Sequence, residues 1–276
     1  MFPKLTPKDL PGLYIPPKNS HKGQNGKLLV IGGSKLFHAS IFWAADVASR
    51  IVDLVHFSSP AMENNDLVRQ KAKTGFWNGI VVPWEEIDTY VKEDDCILIG
   101  PGLPRPEGLK RGETSTSDIV NPLFEKYPKK RWVIDGGALQ EMNNSLLTES
   151  MIITPHAGEF HRLFNFETTP EKAQKMAQKF YCTILLKSVE DTICSKDYCV
   201  RVAGGNPGMT KGGTGDVLAG LVAALYCKNP AFLAAQAGSL INKTAGDNLY
   251  QKVGPYFNAS DLLQEIPFVL KELTAR

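Results

Sequence analysis

The chain contains no run of about 18 apolar residues, so no segment is suited to cross a bilayer as a helix. Its N-terminus, MFPKLTPKDLPG, lacks the apolar core of a signal peptide, and the expected setting is the cytoplasm. Neither sign of charge dominates: 31 basic against 29 acidic side chains leave a net charge of +2. That balance gives no general reason to expect nucleic acid or an anionic membrane as a partner, and points to small molecules instead. Cysteine is sparse, with five residues and no C-x-x-C pair, which removes the common zinc and redox motifs. Most of the five sit in apolar runs such as DDCILIG and YCTILL, and they are expected as reduced, buried thiols. Cys194 and Cys199 flank a turn at SKD and could face each other across a hairpin, but free thiols are the expectation there too. A Walker A loop, G-x-x-x-x-G-K-[ST], is also missing; GQNGKL (23–28) has the wrong spacing and no hydroxyl after its lysine.

What is present is a series of short β-rich runs that end in glycine or a polar residue. They are KLLVIGG (27–33), IVDLVHFSS (51–59), DCILIGPG (95–102), RWVIDGG (131–137), MIITPHAGE (151–159) and CTILLKS (182–188). Continuous Val, Ile and Leu of this length suit strands buried on both faces, as in a parallel sheet. Helical patterns lie between them: SIFWAADVASR, then DIVNPLFEKY, expected to be short and interrupted by Pro122, then TTPEKAQKMAQKF with Thr169 as N-cap and Pro170 at the first helical position. DTICSKDYCVRV reads as a hairpin at one edge of the sheet. Three Ala- and Leu-rich helical stretches fill the last third: VLAGLVAALYC, PAFLAAQAGSLINKTAGDNLY and SDLLQEIPFVLKEL. The expected fold is one α/β domain over 1–276, a doubly wound, mostly parallel sheet flanked by helices. Trp43, Trp77, Trp84 and Trp132 read as core or surface-anchor residues, and His21, His38, His56 and His161 carry no spacing signal.

In open parallel sheets the ligand crevice lies outside the carboxyl ends of the strands. Gly102, Asp135, His156, Glu159 and Lys187 all follow an apolar run closely. The stretch NPGMTKGGTGD (206–216) runs straight into the first C-terminal helix. Its glycines allow Gly212, Gly213, Thr214 and Gly215 to aim backbone N–H groups into one concavity, and a helix N-terminus adds about half a positive charge. This is an anion hole suited to phosphate. Asp216, in the first helical turn, could be a helix-dipole aspartate; beside a phosphate it makes more sense as a base that takes a proton from an attacking hydroxyl. Lys187 is a partner for a nucleotide phosphate, or else a surface lysine. His156 is open to three roles: proton carrier, ligand contact or turn residue. Asp135 and Glu159 are candidates to hold Mg²⁺, directly or through water.

The ordered set KLLVIGGS (27–34), IGPGL (99–103), VIDGGAL (133–139), TPHAGEF (154–160), LLK (185–187), NPGMTKGGTGDVLAG (206–220), AGD (245–247) and ASDLLQEIP (259–267) resembles the ADP- or ATP-dependent NAD(P)H-hydrate dehydratases. The resemblance implies a ribokinase-like fold and a repair reaction, in which hydrated NADH or NADPH is restored by nucleotide-driven loss of water. By family position Asp216 is the base and contacts the hydrated substrate, Ser40, Gly102 and His156 line that substrate's site, and Gly215 with Lys187 contacts the ADP or ATP. Mg²⁺ is the implied metal and a homo-oligomer the implied assembly. Ala39 and Ser40 depart from the family's usual Gly-Ala pair, Pro104 and Ser188 stand where glycine is common, and Gly137 where a second aspartate is frequent. Because only some 25 residues precede KLLVIGG, the epimerase domain of many relatives is expected to be absent, and action on the S epimer alone is expected. Two other readings share the anion hole. One is a vitamin-precursor kinase of the same fold, in which TPN tends to replace TPH; the other is a nucleotide-binding regulator without catalysis.

Overall fold

The computed structural model describes residues 2–10, 12–74, 78–109 and 114–275. In chain order its main elements are β1 (Lys27–Ile31), α1 (His38–Ala48), β2 (Leu54–Ser58), α2 (Met62–Thr74), β3 (Ile80–Val81), α3 (Ile87–Glu93), β4 (Cys96–Ile99), α4 (Thr116–Lys126), β5 (Trp132–Ile134), α5 (Gly136–Glu141), β6 (Met151–Ile153), α6 (Ala157–Phe164), α7 (Pro170–Phe180) and β7 (Thr183–Leu186). The hairpin β8 (Asp191–Cys194) and β9 (Cys199–Val202) follows, then α8 (Thr214–Tyr226), α9 (Ala231–Val253) and α10 (Ala259–Thr274). The strands form one sheet in the order β3-β2-β1-β4-β5-β6-β7-β8-β9, parallel through β7, with β8 and β9 antiparallel. This is the doubly wound, mostly parallel α/β architecture expected from the sequence. Among the described residues no helix is long and apolar enough to cross a membrane.

The apolar strands are continuous because both faces are covered. Along β1, Leu28 and Val30 enter one core with residues of α1, α8, α9 and α10, while Leu29 and Ile31 enter the other with residues of α3 to α7. Strands β4 and β5 alternate the same way, Leu98 and Val133 facing the first core and Ile99 and Ile134 the second. The chain leaves β1 through α1 on the first face and enters β4 from α3 on the second. The carboxyl ends of β1 and β4 therefore flank the topological switch point, where such sheets open a crevice.

Three expectations are corrected. Pro122 does not interrupt α4: the helix runs through it, giving up the one N–H that would reach the Asp118 carbonyl while burying Ile119, Val120, Leu123 and Phe124. The run 151–159 is strand only as far as Ile153, and α6 begins at Ala157. Cys194 and Cys199 are joined by a disulfide rather than free, because β8 and β9 pair them directly across the hairpin with Cα atoms 4.1 Å apart. Cys96, Cys182 and Cys227 are free and buried, as expected. Trp132 is fully buried, and Trp43 lies against Gly213; Trp77 lies outside the described residues.

Candidate active site

The site forms where α1 and α8 touch above the sheet. A Cβ at Gly220 would stand 2.4 Å from the carbonyl oxygen of Ala44, so only glycine lets the two helices come this close. One turn toward the N-terminus on each helix are Ser40 and Asp216, and the Ser40 hydroxyl favours the ionised Asp216 carboxylate. Helix packing in the core therefore fixes this pair. Asp216 is pushed up to about 7, chiefly by burial and then by the negative charge of Asp135, against the pull of Lys187 and the Ser40 hydroxyl. A carboxylate in that range is half-ionised at neutral pH and can accept a proton at the moment of reaction.

Beside it lies the loop before α8. Gly213 sits at φ +95°, and a Cβ there would strike the Trp43 ring at 2.6 Å, so the turn requires glycine. The first helical bond runs from the Val217 N–H to the Gly213 carbonyl, which leaves the Gly215 and Asp216 N–H groups at the helix end without an intrahelical acceptor. Gly212 faces open space, and a Cβ at Gly215 would lie 3.7 Å from Lys187 Nζ. The amide-lined end of α8 and the Lys187 ammonium thus border one hollow. Thr214 takes another part: its hydroxyl lies 2.7 Å from the Met209 carbonyl and 2.9 Å from that of Lys211, and its N–H donates to the same Lys211 carbonyl at 3.4 Å, so both tie the loop inward and the expected phosphate amide at Thr214 is already occupied. Lys211 turns away, its ammonium on the Pro255 carbonyl and over the Phe257 ring.

Lys187 is largely buried rather than a surface lysine. Its backbone N–H donates to Pro155 O at 2.8 Å, extending the β6–β7 pairing so that His156 and Lys187 stand side by side. Its Nζ lies 2.8 Å from Asp135 Oδ1 and 3.7 Å from Glu159 Oε2. Burial works against the charged ammonium, but Asp135, Glu159 and Asp216 outweigh it and hold the lysine above its usual range. Glu159 is raised by burial despite Lys187. Asp135 also accepts from Thr154 Oγ1 at 2.7 Å, a partner that the motif TPH concealed behind its histidine.

His156 is the N-cap of α6. Its Nδ1 accepts from the N–H groups of Gly158 (3.0 Å) and Glu159 (3.2 Å), and Glu159 Oε2 accepts from the His156 N–H at 2.9 Å, a reciprocal capping box. An Nδ1 that accepts puts the proton on Nε2, so the exposed edge of the ring is a hydrogen-bond donor. Of the three roles left open for His156, the structure shows the turn residue, as a helix cap. Gly102 lies at the switch point at φ +72°, where a Cβ would meet the Phe37 carbonyl at 2.4 Å and Ser40 Cβ at 3.2 Å. Ser40, Gly102, Asp216 and the Gly215 end of α8 thus converge. Asp135 and Glu159 meet through Lys187, and among the described residues no group of three or more His, Cys, Asp or Glu side chains could enclose a metal.

The sequence reading missed the residues that hold this machinery in place. Asp247 accepts from the Gly205 N–H at 3.1 Å and Asn206 Nδ2 at 3.1 Å, anchoring the start of NPGM; its signal was the AGD motif. Lys243, on the same helix, is buried and donates to three carbonyls; a lysine inside an apolar helix pattern gave no warning of it.

A family model described as NAD(P)H-hydrate dehydratase matches residues 28–268. The bifunctional NAD(P)H-hydrate repair enzyme of Methanocaldococcus jannaschii is 36% identical over 95% of this chain and 52% of its own length. The chain thus spans about half the length of that relative. The ADP-dependent (S)-NAD(P)H-hydrate dehydratase of Nitrosopumilus maritimus is 33% identical over 94% of this chain and 93% of its own. Among solved structures, a ribokinase-like superfamily protein of Enterococcus faecalis superimposes with a TM-score of 0.83 at 25% identity, covering 99% of this chain and 97% of that one. The ADP/ATP-dependent NAD(P)H-hydrate dehydratase of Bacillus subtilis, co-crystallized with ATP/Mg²⁺, has the same fold with a TM-score of 0.78 at 22% identity over 99% of both chains. With the family model matching most of its length and a relative of 33% identity covered almost end to end, the chain belongs to the NAD(P)H-hydrate dehydratase family.

Proposed function

We propose that the chain dehydrates the S epimer of hydrated NADH or NADPH back to the reduced cofactor, at the expense of ADP or ATP. The observation that carries this reading is Asp216, a carboxylate at about pKa 7 at the mouth of an amide-lined helix end, beside an ammonium. Hydroxide is a poor leaving group, so the ring hydroxyl is first made into a phosphate ester. Asp216 removes the hydroxyl proton as the oxygen attacks the terminal phosphorus of the nucleotide. The Gly215 and Asp216 N–H groups and the Lys187 ammonium take up the charge spread over the phosphoryl oxygens. The lone pair of the ring nitrogen then breaks the carbon–oxygen bond and expels phosphate. A proton leaves the neighbouring ring carbon, and the ring double bond is restored.

The S epimer and ADP as donor are supported by the names of the archaeal relatives, and ATP by the bacterial co-crystal. For Mg²⁺, the residues present fit a water-mediated role. The bonds to Asp135 from Lys187 and Thr154 both fall on Oδ1, so Oδ2 could accept from the ion's waters. Asp135, with Glu159 behind Lys187, would hold those waters, and the bound ion would neutralise phosphate charge. Ser40, Gly102 and the Nε2 edge of His156 would face the hydrated dinucleotide.

The test is direct: the protein is mixed with hydrated NADH, Mg²⁺ and ADP or ATP, and the absorbance of the reduced nicotinamide is followed. Its nucleotide-dependent return supports the proposal. Phosphorylation of a vitamin alcohol without that return would move the assignment to a kinase of the same fold, and no turnover of either would leave a silent nucleotide binder.

A further inference from the structure

Lys243 carries a buried charge that the chemistry above does not use. Its Nζ donates to the carbonyls of Ser188 (3.2 Å), Val189 (3.0 Å) and Gly204 (3.1 Å), and lies 3.4 Å from Asp191 Oδ1. Asp191 in turn accepts from the Ser188 N–H at 2.9 Å and from the Ser239 hydroxyl at 2.7 Å. One ammonium thus gathers the turn directly after Lys187 and the segment directly before NPGM. Both segments lead into the phosphate hollow from its two sides. The Ser188–Asp191 bond and the Glu190–Arg201 ion pair also hold the turn, and Val189 is 91% exposed, an apolar side chain held out in solvent by a backbone that has no strand or helix of its own. A buried ammonium is costly unless each of its donors finds an acceptor, and here three carbonyls and a carboxylate supply them.

We propose that Lys243 is a positioning residue for the nucleotide: by pinning 188–189 to 204 it fixes the rim against which the nucleoside part of ADP or ATP rests, with Val189 as the apolar contact. It touches neither the phosphates nor the hydrated ring. This rests on the function proposed above and extends it from the phosphate hole to the other end of the nucleotide.

A single Lys243→Met change would strand the Asp191 carboxylate, so the test uses Lys243→Met with Asp191→Asn, which removes both buried charges, alongside Lys243→Arg. Nucleotide affinity is read by calorimetry with ADP and with ATP, the KM for hydrated NADH by absorbance, and folding by thermal melting. The expected result for a folded variant is a nucleotide Kd raised roughly tenfold or more, with the KM for the hydrate within about twofold of the parent. Lys243→Arg keeps the charge but cannot place one nitrogen among three carbonyls, and it should weaken nucleotide in the same direction; it is the decisive variant if the double change does not fold. Unchanged nucleotide affinity in a folded variant, or equal loss for nucleotide and hydrate, overturns the proposal. A parent protein that neither binds nucleotide nor restores hydrated NADH overturns this inference together with the function, whereas an active parent with an unaffected variant overturns the inference alone.

Discussion

The ammonium of Lys187 and the carboxylate of Asp135 form an ion pair of 2.8 Å, with Asp135 buried and Lys187 reaching the edge of the phosphate hollow. The pair neutralises a carboxylate that would otherwise repel a nucleotide. Lys187→Met should therefore weaken ADP or ATP about 10- to 100-fold by calorimetry, the range for loss of a charged hydrogen bond to phosphate. It should also lower stability, because Asp135 and Glu159 are left facing each other without their cation. Urea unfolding should show a larger loss at pH 8 than at pH 5, because Glu159, already raised by burial, can take up a proton at the lower pH.

Asp216→Asn removes the proton acceptor while keeping shape and the Ser40 contact. Turnover of hydrated NADH should fall by roughly 10² to 10⁴, the usual share of a general base, with nucleotide affinity retained or improved since a negative charge near phosphate is gone. Turnover near that of the parent would remove Asp216 from the base role.

The position of Asp216 near pKa 7 predicts two pH dependences. The base works ionised, so kcat/KM should rise with pH to a plateau, with its acid limb near 7, and Ser40→Ala should move that limb upward because the hydroxyl stabilises the ionised form. Stability should run the other way. The folded protein holds the Asp216 proton up to about 7, whereas the unfolded chain releases it near its ordinary 3.8, so between those values stability falls as pH rises. Asp216→Asn should accordingly be more stable than the parent at pH 8 by on the order of 4 kcal/mol, and by about half that at pH 5, in chemical denaturation.

Gly215 separates a binding role from a folding one. A Cβ there meets only Lys187 Nζ, at an ordinary contact distance of 3.7 Å, so the fold accepts a side chain. Gly215→Val should melt within a few degrees of the parent yet bind ADP or ATP at least roughly tenfold more weakly, because the side chain fills the space before the amides. Gly213→Val is the contrast: it would meet the Trp43 ring at 2.6 Å at a left-handed φ, and should fail by unfolding.

How far the sequence foretold this site depends on which distances are local. The buried strands declared themselves through unbroken Val, Ile and Leu, and the anion hole through glycines adjacent in the chain. The C-terminal helices were legible because Ala and Leu recur over long spans. Relations across the fold were not. The Ala44–Gly220 approach that sets Ser40 against Asp216 joins residues far apart in the chain, and neither residue type announces it. The buried pair of His56 with Asp94, 2.7 Å apart, is of the same kind. Pro122 misled because propensity was weighed without the four buried side chains that hold α4 to the sheet. The disulfide was missed for want of the β8–β9 register, which alone puts Cys194 opposite Cys199.

His156 combines a structural duty with a proposed binding one, and its two ring nitrogens allow them to be separated. Nδ1 caps α6 through the Gly158 and Glu159 amides, while Nε2 lies on the exposed edge, 3.5 Å from Glu159 Oε1. Asparagine is a strong N-cap whose Oδ1 can replace Nδ1, but its short side chain places no donor where Nε2 stood. His156→Asn should therefore hold stability within about 0.5 kcal/mol of the parent, whereas His156→Ala should lose about 1 kcal/mol with the cap. Both should raise the KM for hydrated NADH by a similar factor, roughly fivefold to tenfold for one lost hydrogen bond, with nucleotide affinity unchanged. If instead the asparagine variant matched the parent in KM while alanine did not, the histidine would be a cap alone, and the donor to the dinucleotide would have to come from another group at the switch point.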